Sequence, residues 1–366
     1  MTLDRRGFLR LGGAAAALAM LPRRAAAQER FIKEAGPWRR FEIVTRLDIA
    51  KPEGRVQAWV PVPSVEDADW SKPLGSAWKT NAKIAKLKRA PQSGAAMVHL
   101  QWAEGEPAPY AEISSDFSTR DRSTDFSRPR KVTPLTEEER KLYTAVQPQP
   151  RDEDLVRRTA ARIIENAKTD LGKAKAIYEW LAGGRECGAE AAASGLGGSL
   201  PDINMLYVRL AHAAGLPART IYGLRIAPSQ FGYTSLGAKS GVVTRAQHCR
   251  AEVWLEDYGW MPVDPADVCK VVKEEPPAAA PTPDAKIVSA RLTLFGAWEG
   301  NWLAYNMASN ITLPGFDPLN GEPPQAKPQH SVSSLMYPQA ETAAGLLDCR
   351  DPDTFKYAIA AKELPA

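Results

Sequence analysis

The feature that most constrains this chain is a change in the period of its apolar residues. Between residues 38 and 118 they alternate with polar ones in short runs: Phe41, Ile43 and Leu47; Val56, Ala58, Val60 and Val62; Val98, Leu100 and Trp102; Ala111, Ile113 and Phe117. A period of two places one set of side chains on one face of a strand. Turn-forming stretches such as Lys51-Pro52-Glu53-Gly54 separate the runs, so residues 38–118 are predicted to form an antiparallel β-sandwich with one inward face per sheet.

From residue 150 the period becomes helical. Leu155, Thr159, Ile163 and Ala167 share one face, and Ala174, Ile177, Tyr178 and Leu181 share another, with Gly183 as a stop. A third helix is predicted from about Leu200 to Ala214, because Ile203, Leu206, Tyr207 and Leu210 recur at i, i+3, i+4 and i+7 before Gly215. Ser199 and Asp202 have N-cap and N3 spacing, and Pro201 is tolerated in the first turn. Strand-like segments at Arg219–Ile226 and Cys249–Leu255 follow, so helices precede strands and residues 150–272 read as an α+β domain.

Between the two periods, residues 119–149 are charged and contain proline, with one helix signal where Thr136 and Glu139 stand at capping-box spacing; they read as a linker. Residues 273–286 form a Pro/Ala-rich linker. Residues 287–366 are expected to be a C-terminal extension that adds strands, with Leu292–Phe295 and Phe355–Ala360 as the candidates.

The first 27 residues have a different character. Arg5 and Arg6 precede a short apolar, alanine-rich run and then Ala25-Ala26-Ala27, the pattern of a twin-arginine signal peptide. The run is too short to span a bilayer, so the mature chain is expected to begin near Gln28, to lack a transmembrane segment and to reside in the periplasm. Charge bears on partners. The full chain carries +4, but the five arginines and one aspartate of residues 1–27 account for all of it, which leaves the remainder neutral and gives no support to a nucleic-acid partner. Cys187, Cys249, Cys269 and Cys349 allow three pairings that sequence cannot choose between. The periplasm permits disulfides, whereas twin-arginine substrates fold first in a reducing cytoplasm, so no bridge is assumed.

Several chemistries are excluded by absence of their motifs. The chain has no G-x-G-x-x-G, Walker A, G-x-S-x-G or H-E-x-x-H, and His99, His212, His248 and His330 lie outside metal-ligand spacing of one another. What remains is an ordered set of three segments: Gly197-Gly198-Ser199-Leu200-Pro201-Asp202-Ile203-Asn204 at a helix start, Gln247-His248-Cys249-Arg250-Ala251-Glu252 at a strand start, and Trp260-Met261-Pro262-Val263-Asp264-Pro265. Taken singly, a strand-start histidine is most often structural and an Asp-Pro pair most often makes a turn. Their joint order resembles the transglutaminase-like, papain-related superfamily, as does the turn Leu210-Ala211-His212-Ala213-Ala214-Gly215-Leu216-Pro217-Ala218-Arg219.

The resemblance implies an α+β, papain-like core preceded by a β domain, and a cysteine–histidine–aspartate site for amide hydrolysis or acyl transfer. In such a site a thiolate at a helix N-terminus attacks, a histidine moves the proton, and an aspartate fixes the imidazole tautomer. Carried over, His248 is the base and Asp264 its orienting partner, while the nucleophile position falls on Leu200. Leucine has no lone pair, so the leading expectation is a non-catalytic relative that binds a peptide, a protein or a cell-envelope component. The alternative is an active cysteine-type amidase, protease or acyltransferase that uses His248 and Asp264 with another nucleophile, Cys187 or Ser199. Ser199 is rotated about 100° from the family position, and Cys249, next to His248 on a strand, faces the opposite side. No cofactor is implied. Some transglutaminases need calcium, but the chain has no clustered acidic loop of the EF-hand kind. Trp254, Trp260, Trp298 and Trp302 serve either as an aromatic groove or, more commonly for such rings, as core.

Overall fold

The computed structural model describes residues 35–365 apart from 91–93, 146–151, 184–186, 197–202, 276–284 and 316–329. Seven strands come first: β1 (Arg39–Ile49), β2 (Val56–Pro61), β3 (Ser71–Thr80), β4 (Ile84–Arg89), β5 (Ala96–Trp102), β6 (Tyr110–Thr119) and the short β7 (Arg122–Ser123). Five helices follow: α1 (Glu137–Thr144), α2 (Glu153–Ile163), α3 (Asp170–Ala182), α4 (Ala189–Ala193) and α5 (Ile203–Ala213). Then come β8 (Ala218–Arg225), β9 (Gln247–Leu255), β10 (Gly259–Val263), α6 (Pro265–Glu274) and α7 (Ala285–Thr293). The last strands are β11 (Ala297–Trp298), β12 (Trp302–Asn306), β13 (Ile311–Thr312), β14 (Ser331–Val332), β15 (Gln339–Thr342), β16 (Gly345–Leu346) and β17 (Phe355–Leu364).

Two antiparallel sheets, ordered β17-β1-β6-β3 and β16-β15-β2-β5-β4, make the β-sandwich. Alternation in the first is regular: Phe41, Ile43, Leu47 and Ile49 of β1 and Ala111, Ile113 and Phe117 of β6 are buried. Leu47, Val56, Val60, Val98, Leu100, Trp102, Ile113 and Phe355 fill the space between the sheets, at about 1.5–3 kcal/mol for each large apolar side chain removed from water. The second sheet departs from the expected single inward face. Every residue of β2 and β5 is buried, because a second cluster around Trp59, Met97, Ile311, Leu313 and Leu335 covers its other side.

The α+β part is built on a third sheet, β10-β9-β8-β12. Ala251, Val253 and Leu255 of β9 face the helices and join Val156, Ile177, Tyr178, Leu206, Tyr207, Leu210 and Val268 in the largest core. The predicted positions Ala174, Ile177, Tyr178 and Leu181 are buried as a set on α3. On α2 the buried stripe is displaced to Val156, Thr159 and Ala160. Helix α5 ends where Gly215 adopts φ +78, and the amides of Gly215 and Leu216 close onto the carbonyls of His212 and Ala211. That left-handed geometry suits glycine.

Three expectations need correction. Residues 119–149 are not a plain linker: their capping box forms as predicted, with both the Thr136 and Glu139 bonds present, but β7 pairs with β11 and Phe126 stacks on Phe295. Apolar and aromatic residues spaced without a period carry no strand or helix signal, yet they pack. Leu292 and Thr293 end α7 instead of forming a strand, whereas Phe355–Ala360 does lie in β17. The C-terminal residues are shared out: β17 joins β1, β15 joins β2 and β12 joins β8. Finally, Cys187 and Cys269, 82 residues apart, form a disulfide. Closing a loop of that length is worth about 4 kcal/mol in chain entropy. Among the described residues no helix is long and apolar enough to cross a membrane.

Candidate functional site

His248 is the second residue of β9, and Asp264 follows the last residue of β10. Because β10 pairs with β9 antiparallel, with Val263 opposite Ala251, the end of one strand is carried back toward the start of the other. Asp264 is also the N-cap of α6: its Oδ1 accepts the Asp267 amide at 3.0 Å, and Pro265 occupies the first turn. The ordinary use of an Asp-Pro pair and the site use therefore coexist in one residue.

The His248 Nε2 and Asp264 Oδ2 atoms are 2.8 Å apart, with His248 8% exposed and Asp264 fully buried. Burial alone would push the Asp264 carboxyl up, but His248, Arg250 and Asn204 outweigh it and lower it to about 2. An ionised carboxylate only accepts, so Nε2 is the donor, and Nδ1 is the ring nitrogen left to exchange a proton. This is the arrangement a proton-accepting imidazole requires.

Four further residues complete the constellation. Asn204 on α5 donates to Asp264 Oδ1 and to the Cys249 carbonyl, both at 2.7 Å, and accepts the Ala266 amide at 3.1 Å. Asp267 Oδ1 lies 3.3 Å from His248 Nε2 and pairs with Arg225. Arg250 Nε lies 3.4 Å from Asp264 Oδ2, and its Nη1 donates to the Glu299 carbonyl at 2.9 Å. None of these was assigned a role from sequence, though an arginine inside a fully buried strand pattern, as at 225 and 250, signals a charge that must be paired.

Trp302 donates its indole N–H to the His248 carbonyl at 3.1 Å and stacks under the Arg250 guanidinium at 4.8 Å. It reaches there only because Gly223, opposite His248 in β8, has no side chain: a Cβ would stand 2.0 Å from the Leu303 carbonyl and 2.3 Å from the Trp302 ring. Gly223→Ala is accordingly expected to cost about 1–3 kcal/mol, read as a lowered urea midpoint. Trp298 and Trp302 are core, with Trp254 also buried; Trp260 is partly exposed. Core packing accounts for three of the four rings.

By type, His248, Asp264 and Asp267 are a metal-donor set, with ligand atoms within 4.8 Å of one another. Their two carboxylates are already matched by two buried guanidinium groups, Arg225 and Arg250. A divalent cation would face both at close range, so the charge balance opposes one.

Leu200 and Ser199 lie outside the described residues, three and four positions before α5 opens at Ile203. Cys187, the other candidate nucleophile, has its sulfur in the bridge to Cys269 and has no thiolate to offer. Cys249 is buried, on the β9 face opposite His248.

The folded Asp264 carboxyl sits at about 2 against 3.8 for the unperturbed group. A depressed value means the stabilisation is full above the unfolded value and is lost as pH falls through the folded one. Denaturant titrations between pH 5 and pH 2 should show roughly 2 kcal/mol disappearing over that window, and Asp264→Asn should remove that part of the slope.

Residues 157–265 match the profile of a family described as the transglutaminase-like superfamily. A protein of unassigned function from Haemophilus influenzae is 27% identical over 357 residues, covering 88% of this chain and 91% of its own. Among solved structures, one named as a proposed cysteine protease from Cytophaga hutchinsonii covers 91% of this chain and 93% of its own at 11% identity and TM-score 0.45. The periplasmic domain of TgpA from Pseudomonas aeruginosa covers 62% of this chain and 91% of its own at 14% identity and TM-score 0.30.

Proposed function

We propose that this chain, whose residues 157–265 match the transglutaminase-like superfamily, is a member without a nucleophile, one that holds a ligand in the family cleft and does not turn it over. The observation that carries the reading is Leu200. It stands where the family has its cysteine, 15 residues before the Gly215 that ends α5, while the buried His248–Asp264 pair remains. A hydrocarbon side chain neither ionises nor attacks a carbonyl.

The ligand class follows from the family's chemistry: an amide-bearing peptide, a protein segment or a cell-envelope component. His248 Nδ1, the ring nitrogen not bonded to Asp264, is the atom that would meet a polar group of such a ligand. The arginine-paired leader, Arg5-Arg6, supports export by the twin-arginine route and residence in the periplasm.

A thermal-shift screen against short peptides and peptidoglycan fragments tests the binding reading. A true ligand at a hundredfold excess over its Kd should add about 2.7 kcal/mol of stability, saturably. His248→Ala should abolish the shift. A screen in which nothing shifts the midpoint, or in which His248→Ala shifts it equally, contradicts the proposal.

A further inference from the structure

We infer that the Cys187–Cys269 disulfide is a latch that holds the wall of this site closed only after the chain reaches an oxidising compartment. The inference concerns regulation of the same site and rests on the binding reading above, but its test needs no ligand.

The bridge joins the helix that carries Asp264 and Asp267 to a segment packed against the start of α5. Cys269 lies on α6, the helix capped by Asp264 and carrying Asp267 in its first turn. Cys187 lies in the segment between α3 and α5, just before α4. Gly188 sits against the Ile203 side chain, with room for a Cβ 3.6 Å from Ile203 Cδ1. Ile203 opens α5 and is followed by Asn204, the residue that bonds Asp264. The disulfide therefore ties the carboxylate-bearing helix to the segment that seats the start of α5.

Among the described residues that segment is otherwise lightly held, with the Gly188 amide donating to the Leu181 carbonyl at 3.2 Å. Helix α4 is five residues long, too short to be stable by itself. Glycines with positive φ, Gly188 and Gly195, stand on either side of it. Its buried apolar anchors among the described residues are Cys187, Ala191 and Leu196: one large side chain and two small ones. The sandwich core contains none of these residues, and in the α+β core they stand beside the larger side chains of α3, α5 and β9, so cutting the bridge leaves the sandwich intact while loosening residues 187–196.

Formation of the bridge takes two electrons and two protons from the two thiols. A small-molecule disulfide is the oxidant: one thiolate attacks it to give a mixed disulfide and release one thiol, and the second thiolate closes the Sγ–Sγ bond and releases the other. A twin-arginine substrate arrives folded from a reducing cytoplasm, so on this account it arrives with the latch open and closes it after export.

Amide hydrogen exchange on the purified chain tests the latch. One sample is oxidised with glutathione disulfide, and the other is reduced with dithiothreitol under native conditions. Residues 187–196 and the first turn of α5 are expected to exchange at least tenfold faster when reduced, while β1 and β6 keep their protection. The Cys187→Ser/Cys269→Ser double variant should match the reduced sample; if it fails to fold, the reduced native sequence still decides the matter. Equal exchange in both samples overturns the inference. Loss of protection across β1 and β6 on reduction also overturns it, because the bridge would then hold the whole fold and not this segment.

Discussion

Leu200→Cys protein is expected to hydrolyse amide or ester substrates that the unmodified protein leaves intact. By the family resemblance the substitution restores a thiol at a helix start, where backbone amides and the macrodipole favour the anion. The base that the resemblance pairs with it is His248, whose Nε2 is already committed to a buried, ionised Asp264. Two observations should accompany the gain. Alkylation of the new cysteine by iodoacetamide should proceed below the pH at which an ordinary thiol reacts. Adding His248→Ala to the Leu200→Cys protein should lower the hydrolysis rate by roughly 10²–10⁴, the usual contribution of a positioned general base. A Leu200→Cys protein that alkylates like a free thiol and hydrolyses nothing would mean that the cleft geometry has drifted along with the nucleophile.

Glu252→Ala is expected to be the most destabilising of the substitutions considered for β9. Glu252 is fully buried and pairs with Arg122 and with Arg219, whose Nε lies 2.6 Å away. Burial pushes its carboxyl up, but the two guanidinium groups overcome that and hold it below its ordinary value. Arg122 in turn donates to the Trp260 carbonyl and lies against the rings of Trp70 and Trp298, while Arg219 stacks on Trp260 at 4.0 Å. Removing the carboxylate strands two largely buried cations at once. A cost of about 3–5 kcal/mol follows, visible as a lowered denaturant midpoint. The Arg122→Leu, Glu252→Ala and double variants form a cycle, and non-additivity in that cycle would assign part of the loss to the pair. A cost below about 1 kcal/mol would show the network to be hydrated and of little weight.

Much of the fold was legible because burial writes a period into sequence. Phe41, Ile43 and Leu47 and the Ala174–Leu181 stripe are buried where alternation and the helical repeat put them. The pairing of His248 with Asp264 was legible from motif order alone. Other features have no local signature. Asn204, Asp267, Arg225 and Arg250 meet only because β8, β9, α5 and α6 converge, and their separations along the chain follow no repeat. The Cys187–Cys269 pairing was one of three choices and is fixed by tertiary proximity. Burial of β2 and β5 on both faces depends on chain returning from residues 306–335, which the local alternation of those strands does not encode. Arg122 and Phe126 looked like part of a solvated connection because isolated charges and rings between prolines carry no period, yet both are packed.

Asp264 shows why single motifs mislead in both directions. As the N-cap of α6 it does what an Asp-Pro pair commonly does, and with its other oxygen it bonds the His248 ring. Only the accompanying histidine, strand order and burial separate the two uses.

The measurement that bears most directly on the central claim is intact-mass analysis of the unmodified protein after incubation with an excess of activated acyl esters and peptide amides. The account predicts an unchanged mass and no product above the rate without protein. An acyl adduct on any side chain that disappears in His248→Ala would contradict it, because some group other than Leu200 would then be supplying the electron pair.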